Sequence, residues 1–119
     1  MRYLVLVTLF SIVSFPIFAQ SDITGTWNTG EQNTHVKIEK ENDVFIGKVI
    51  SSDNPKAKTG STLVKEVKLK KNKWVGQLYA PKRGEWYNAE FTKKGNILEI
   101  EVSVGFMSKL VEWTKVAKE

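Results

Sequence analysis

From residue 24 onward, apolar and polar side chains alternate over runs of about five to eight residues, and turn-forming clusters interrupt the runs every eight to twelve or so. No stretch sustains the 3.6-residue period of an amphipathic helix. The reading is eight strands, over 24–29, 35–40, 44–50, 63–69, 73–79, 86–92, 97–104 and 110–116. The turns are Glu41-Asn42-Asp43, Lys70-Lys71-Asn72, 80–85 and Lys93-Lys94-Gly95-Asn96. One loop is long, 51–61, and carries Asn54-Pro55 and Gly60 as breakers.

Successive strands test one another, because hairpin register fixes which side chains share a face. A turn at 93–96 pairs Phe91 with Leu98, Ala89 with Ile100 and Tyr87 with Val102. A turn at 80–85 pairs Leu78 with Tyr87, Gly76 with Ala89 and Trp74 with Phe91, and a turn at 70–73 pairs Leu69 with Trp74 and Val67 with Gly76. These hairpins agree on one apolar face: Leu63, Val67, Leu69, Trp74, Leu78, Tyr87, Phe91, Leu98, Ile100 and Val102. For the earlier hairpin, an even-length turn sets Val36 and Ile38 opposite Phe45, Gly47 and Val49, and an odd one selects Val44 and Ile46 instead. The opposite face is mostly polar, with Lys68, Val75, Gln77, Asn88, Glu90, Glu99 and Glu101.

An eight-strand meander with one apolar face closes into an antiparallel up-and-down barrel wide enough for packed side chains or one small ligand. An open sandwich is the competing architecture. Closure suits this chain, which has no cysteine to staple a modest core. Trp27, approached through Gly25-Thr26, stands at the start of the first strand as a plug for one end of that core.

Residues 1–19 read as a cleaved signal peptide. Arg2 gives the positive start, 3–15 form a largely apolar run too short to span a membrane, Pro16 ends it, and Ala19 precedes the cleavage point. Residues 20–119 then form a single barrel domain, periplasmic or secreted. Of 18 basic residues, Arg2 is lost with the signal, leaving 17 against 13 acids and a balance of +4. Lysine supplies nearly all of the excess, which aids solubility and favours anionic partners.

Gly25-Thr26-Trp27, Gly47-Lys48-Val49, Asp53-Asn54-Pro55, Trp74-Val75-Gly76, Leu78-Tyr79-Ala80-Pro81, Gly84 with Tyr87, and Gly105 with Trp113-Thr114-Lys115 follow one another in order. This series resembles the DUF2147 family of small exported bacterial proteins across nearly all of the mature chain. The resemblance implies a lipocalin-like barrel and no established activity. Two places depart from the pattern: the Lys-rich stretch after Pro55, and Lys115, where arginine is usual. By the same likeness, Gly25 and Trp27 close one end of the barrel, and Lys115, from the last strand, covers the indole.

Catalysis has few candidates. His35 is the sole histidine, placed with Lys37 and Glu39 on the polar side, and no cysteine exists. That excludes a thiol nucleophile or a His-rich metal site, and no hydroxyl has an evident base. Glu99 and Glu101 share a face, Glu90 is expected opposite Glu99, and the three read as a solvated patch. The expectation is therefore a non-enzymatic monomer with no cofactor, no nucleic-acid partner and at most transient membrane contact. The alternation sets Lys65 on the inward face near Tyr87, where an unpaired ammonium is costly. One reading makes Lys65 and Tyr87 the head-group site of an anionic amphiphile, with Phe45, Trp74, Phe91 and Ile100 lining the apolar part. The other is a strand bulge or a mouth position that lets Lys65 reach water. A second functional class is an interaction or inhibitor module that uses its loops and lysines against an anionic envelope component.

Overall fold

The structure, a computed structural model, describes residues 22–116, so the expected signal segment lies outside the described residues. Eight strands follow in order: β1 (Gly25–Asn28), β2 (His35–Glu41), β3 (Val44–Ser51), β4 (Thr62–Lys70), β5 (Lys73–Ala80), β6 (Glu85–Lys94), β7 (Ile97–Val104) and β8 (Met107–Lys115). Each pairs antiparallel with its neighbours in sequence, and β8 returns to β1 to close the barrel. Two-residue turns join β2 to β3, β4 to β5 and β6 to β7, all at the end where β1 begins and β8 finishes. Lys71 and Asn72 both have positive φ, 50° and 68°, as a type I′ turn requires. The longer connections, 29–34, 52–61 and 81–84, gather with the 105–106 turn at the opposite end, the mouth.

The β5–β6 hairpin has the expected register, with Trp74 opposite Phe91, Gly76 opposite Ala89 and Leu78 opposite Tyr87. In the β2–β3 hairpin the even-length turn places Val36 opposite Val49 and Ile38 opposite Gly47. The β6–β7 register differs from expectation by two residues. Only Gly95 and Asn96 form that turn, so Phe91 meets Ile100, Ala89 meets Val102 and Lys93 meets Leu98. Because strand faces repeat every two residues, the shift leaves the apolar face intact.

The second difference is in β4. Lys65 pairs with Gln77 and Lys68 with Val75, so Glu66 and Val67 together oppose Gly76. This is a β-bulge, and Glu66 takes the left-handed conformation it needs, with φ 57°. The extra residue flips the first half of β4: Val64 is buried, and Lys65 no longer shares the face of Val67. Leu69 keeps the inward side but stands at the rim, substantially exposed.

Inside, Ile23, Trp27, Val36, Ile38, Phe45, Val64, Val67, Phe91, Leu98, Ile100 and Trp113 form one buried cluster, with Leu63, Trp74, Leu78, Tyr87, Val104 and Val111 packed around it. A methyl placed on Gly47 would lie 3.0–3.1 Å from Val64, Ile38 and Val36. The barrel interior at this level is filled by side chains. Thr26 is also buried, and its Oγ1 has no hydrogen-bond partner among the described residues. An unpaired buried hydroxyl costs about 1–3 kcal/mol. Thr26→Val keeps the shape and removes the orphan, so chemical denaturation of the variant should show stability unchanged or raised by about 1 kcal/mol. A clear loss would mean that the hydroxyl is satisfied.

Candidate functional site

Trp27 sits where the closing end of the barrel needs a large rigid side chain. It is completely buried, and its indole N–H donates to the Ile23 carbonyl at 3.1 Å. Lys115 is its cross-strand neighbour on β8 and places Nζ 5.5 Å from the ring centroid, inside the ~6 Å reach of a cation–π contact. Gly25 makes room for that arrangement, since a Cβ there would lie 3.0 Å from Lys115 Nζ. Its φ of 135° is also one that side-chain-bearing residues rarely adopt.

The residues expected to surround an amphiphile do not share one cavity. Lys65 is on the outside of the wall, its Nζ 4.2 Å from the centre of the Trp86 ring, and Trp86 in turn packs at 5.1 Å against Tyr79. The bulge at Glu66 causes this reversal. Tyr87 points to the inner side and is half-buried towards the mouth, separated from Lys65 by the sheet. Phe91 and Ile100 are sealed in the core. Phe45 and Trp74 meet edge to face at 5.2 Å near the closed end. The bulge is one of the readings that the sequence left open for Lys65, whereas the packing of Lys65 on Trp86 and of Trp86 on Tyr79 has no signal in an alternating pattern.

Two hollows remain. A shallow groove of about 620 Å³ runs over β4–β7, floored by Val75 and Gly76 and edged by Gln77, Asn88, Glu90, Glu101 and Ser103. A second, of about 340 Å³, opens at the closed end between Phe45, Trp74 and Leu69, with Lys40, Lys68, Asp22 and Asp43 around it. Partial burial pushes the Asp22 carboxyl up. Hydrogen bonds from the Thr24 hydroxyl and backbone N–H, with Lys93 and Lys40 nearby, outweigh that and hold it below its ordinary value of 3.8. This carboxylate stays charged and tempers the lysines at that end.

His35 is half-buried at the start of β2 rather than freely exposed. Glu90 faces Glu101, not Glu99, because of the tight Gly95-Asn96 turn. Lys73 lies 3.6 Å from Glu90, and Lys94 lies 3.2 Å from Glu99. Among the described residues, no group of three or more acids and histidines is placed to hold a metal ion.

The fold defines the class: a small, filled, antiparallel up-and-down barrel of lipocalin-like form, closed at one end by a buried tryptophan. The profile of a family described as an uncharacterized protein conserved in bacteria, DUF2147, matches residues 25–115. The chain belongs to that family. No curated protein and no solved structure matches it.

Proposed function

We propose that this chain is an exported, non-enzymatic binding module that works from its outer surface, with an anionic component of the bacterial envelope as partner. The observation that carries this reading is the filled interior. Phe91 and Ile100, the centre of any internal ligand site, are at most 1 % exposed, and Gly47 has no space even for a methyl without displacing its neighbours. Recognition is left to the exterior. There the closed end presents Lys70, Lys71 and Lys73 on one two-residue hairpin and Lys93 and Lys94 on another. Clustered lysines attract anionic surfaces through a field that salt screens within about 8–10 Å. The basic start and short apolar run of residues 1–19 support export.

The test uses vesicles with and without an anionic phospholipid. The purified protein should co-sediment with the anionic vesicles only, release as salt is raised, and bind at least tenfold more weakly when Lys70, Lys71 and Lys73 are changed to glutamate. Equal retention on neutral vesicles, or no retention, would reject the proposal.

The 340 Å³ hollow supports a second reading, because Phe45, Trp74 and Leu69 beside Lys40 and Lys68 suit the head and upper chain of an anionic amphiphile. Native mass spectrometry of protein taken from the envelope separates the two. A stoichiometric amphiphile favours the second.

A further inference from the structure

We infer that two copies of this chain pair along the free edge of β8, antiparallel and centred on Leu110. The barrel closes through a short seam. β1 is four residues long and β8 nine, and they pair only at Trp27–Lys115 and Asn28–Thr114. Above Thr114, β8 continues to Met107 with β7 on one side and no strand paired to its other side among the described residues. A long exposed edge is a template for another strand unless it is covered or broken.

The backbone determines which groups are free. The two-residue turn after Val104 closes on Met107, so the pairs Val104–Met107, Val102–Lys109, Ile100–Val111 and Leu98–Trp113 exchange hydrogen bonds within the hairpin. The alternate residues turn their N–H and C=O groups to the other edge. Thr114 does so and meets Asn28, and Val116 likewise donates to the Thr26 carbonyl. Ser108, Leu110 and Glu112 have no strand partner along that edge among the described residues.

These three residues are symmetric about Leu110. A second β8 running antiparallel, with Leu110 opposite Leu110 and Ser108 opposite Glu112, uses all three on each copy, for about six new inter-strand hydrogen bonds. It also opposes residues of like facing, so both barrels lie on the same side of a continuous sheet. On the outer face this register sets two leucines against each other and gives each Glu112 carboxylate a serine hydroxyl donor. On the inner face Lys109 opposes Val111. A register centred on Lys109 would place two ammonium groups opposite each other, and one centred on Val111 would need Thr114, which β1 already holds. Lys109 is an inward-pointing charge of the kind that guards edges. Here it excludes one register rather than all pairing.

The exposed apolar side chains fall where this pairing needs them. Phe106 is fully exposed at 101 %, Met107 at 67 % and Leu110 at 59 %. All three lie on β8 or the turn that begins it, and isolated barrels gain nothing from displaying them together. In the paired form Phe106 extends over the partner's β8 near Thr114, and Met107 comes opposite the partner's Trp113. The anionic partner proposed above would meet the closed end, so the two proposals can fail independently.

The chain has no cysteine, so one introduced thiol reports the register. Under mild oxidation Leu110→Cys should form a disulfide-linked dimer at least tenfold faster than Ser108→Cys, whose opposite neighbour would be Glu112. The Cα separation of about 5.5 Å in such a pair suits a disulfide. By light scattering after size exclusion, the unmodified protein should reach the mass of two chains as concentration rises. Leu110→Lys, at an exposed position that leaves the fold intact by circular dichroism, should weaken that association at least tenfold. A single-chain mass at every concentration, or cross-linking of Ser108→Cys as fast as that of Leu110→Cys, would overturn the inference.

Discussion

Trp27→Ala should cost this barrel about 3–5 kcal/mol, the range found when a large buried aromatic is truncated. Domains of this size have only about 5–15 kcal/mol of stability in total. The variant should therefore unfold at a much lower urea concentration, and a parent at the bottom of that range would keep little or no stability in buffer. The reason lies in what the indole does at once. It fills the closed end with no exposed surface, donates its N–H to the Ile23 carbonyl, and carries Lys115 over its face. Its loss opens a cavity at the place where β1 and β8 make their two cross-strand pairs, so the seam is weakened together with the core. Lys115→Met is the informative contrast. It removes the cation but keeps an apolar chain, and should cost only about 0.5–1 kcal/mol. Urea titrations of both variants measure the difference. A Trp27→Ala protein within about 1 kcal/mol of the parent would show that Trp27 is not the plug.

Gly76→Ala is the second large effect, and its sign is opposite to the usual one. Alanine in a strand normally gains a few tenths of a kcal/mol over glycine by restricting the unfolded chain. At position 76 the added methyl would meet Val67 Cγ2 at 2.6 Å, Val67 Cα at 2.7 Å and the Lys65 carbonyl oxygen at 2.8 Å. Two of those atoms are backbone and cannot rotate away. The bulge at Glu66 and Val67 presses β4 against β5 here, and only a residue without a side chain lets it. Overpacking costs of about 1–3 kcal/mol are typical, and the rigid neighbours place this case at the upper end. Gly47→Ala should be milder, since its contacts at 3.0–3.1 Å are all with side-chain atoms. Thermal or chemical unfolding of the pair should rank Gly76→Ala as the more damaged. If Gly76→Ala is neutral, the bulge is not a rigid feature of the wall.

Both effects bear on function through the same wall. The bulge that requires Gly76 is what carries Lys65 outside to cover Trp86, and the plug that requires Trp27 is what fixes the lysine hairpins at the closed end. An internal ligand site would need the core to open. A surface binder needs the core to hold these outer groups still.

Much of this arrangement was legible before the fold was seen. Alternation is a local property of the chain, and each tight hairpin converts it into a cross-strand pattern, so the strand order and the apolar face could be read from residues 67–104. The lysine-rich turns, the absence of thiols and the Gly25–Trp27 approach are equally plain. The candidate ligand site was legible only in part. Phe45 and Trp74 do meet, but Lys65 and Tyr87 are parted by the sheet.

What the sequence determined by itself was thus the strand order, the inward-facing set apart from the start of β4 and the β2–β3 hairpin, whose face it left to the turn length, and the lack of any thiol. Only the tertiary structure decided three further things: the length of the Gly95-Asn96 turn, the bulge at Glu66, and the seam where β1 is too short to cover β8. The physical reason is common to all three. An alternating pattern looks the same after a two-residue slip, one inserted residue reverses every side chain beyond it, and the reach of β1 along β8 depends on contacts between the two ends of the chain. Those contacts leave Leu110 at the middle of an open edge, a position that no local pattern announces.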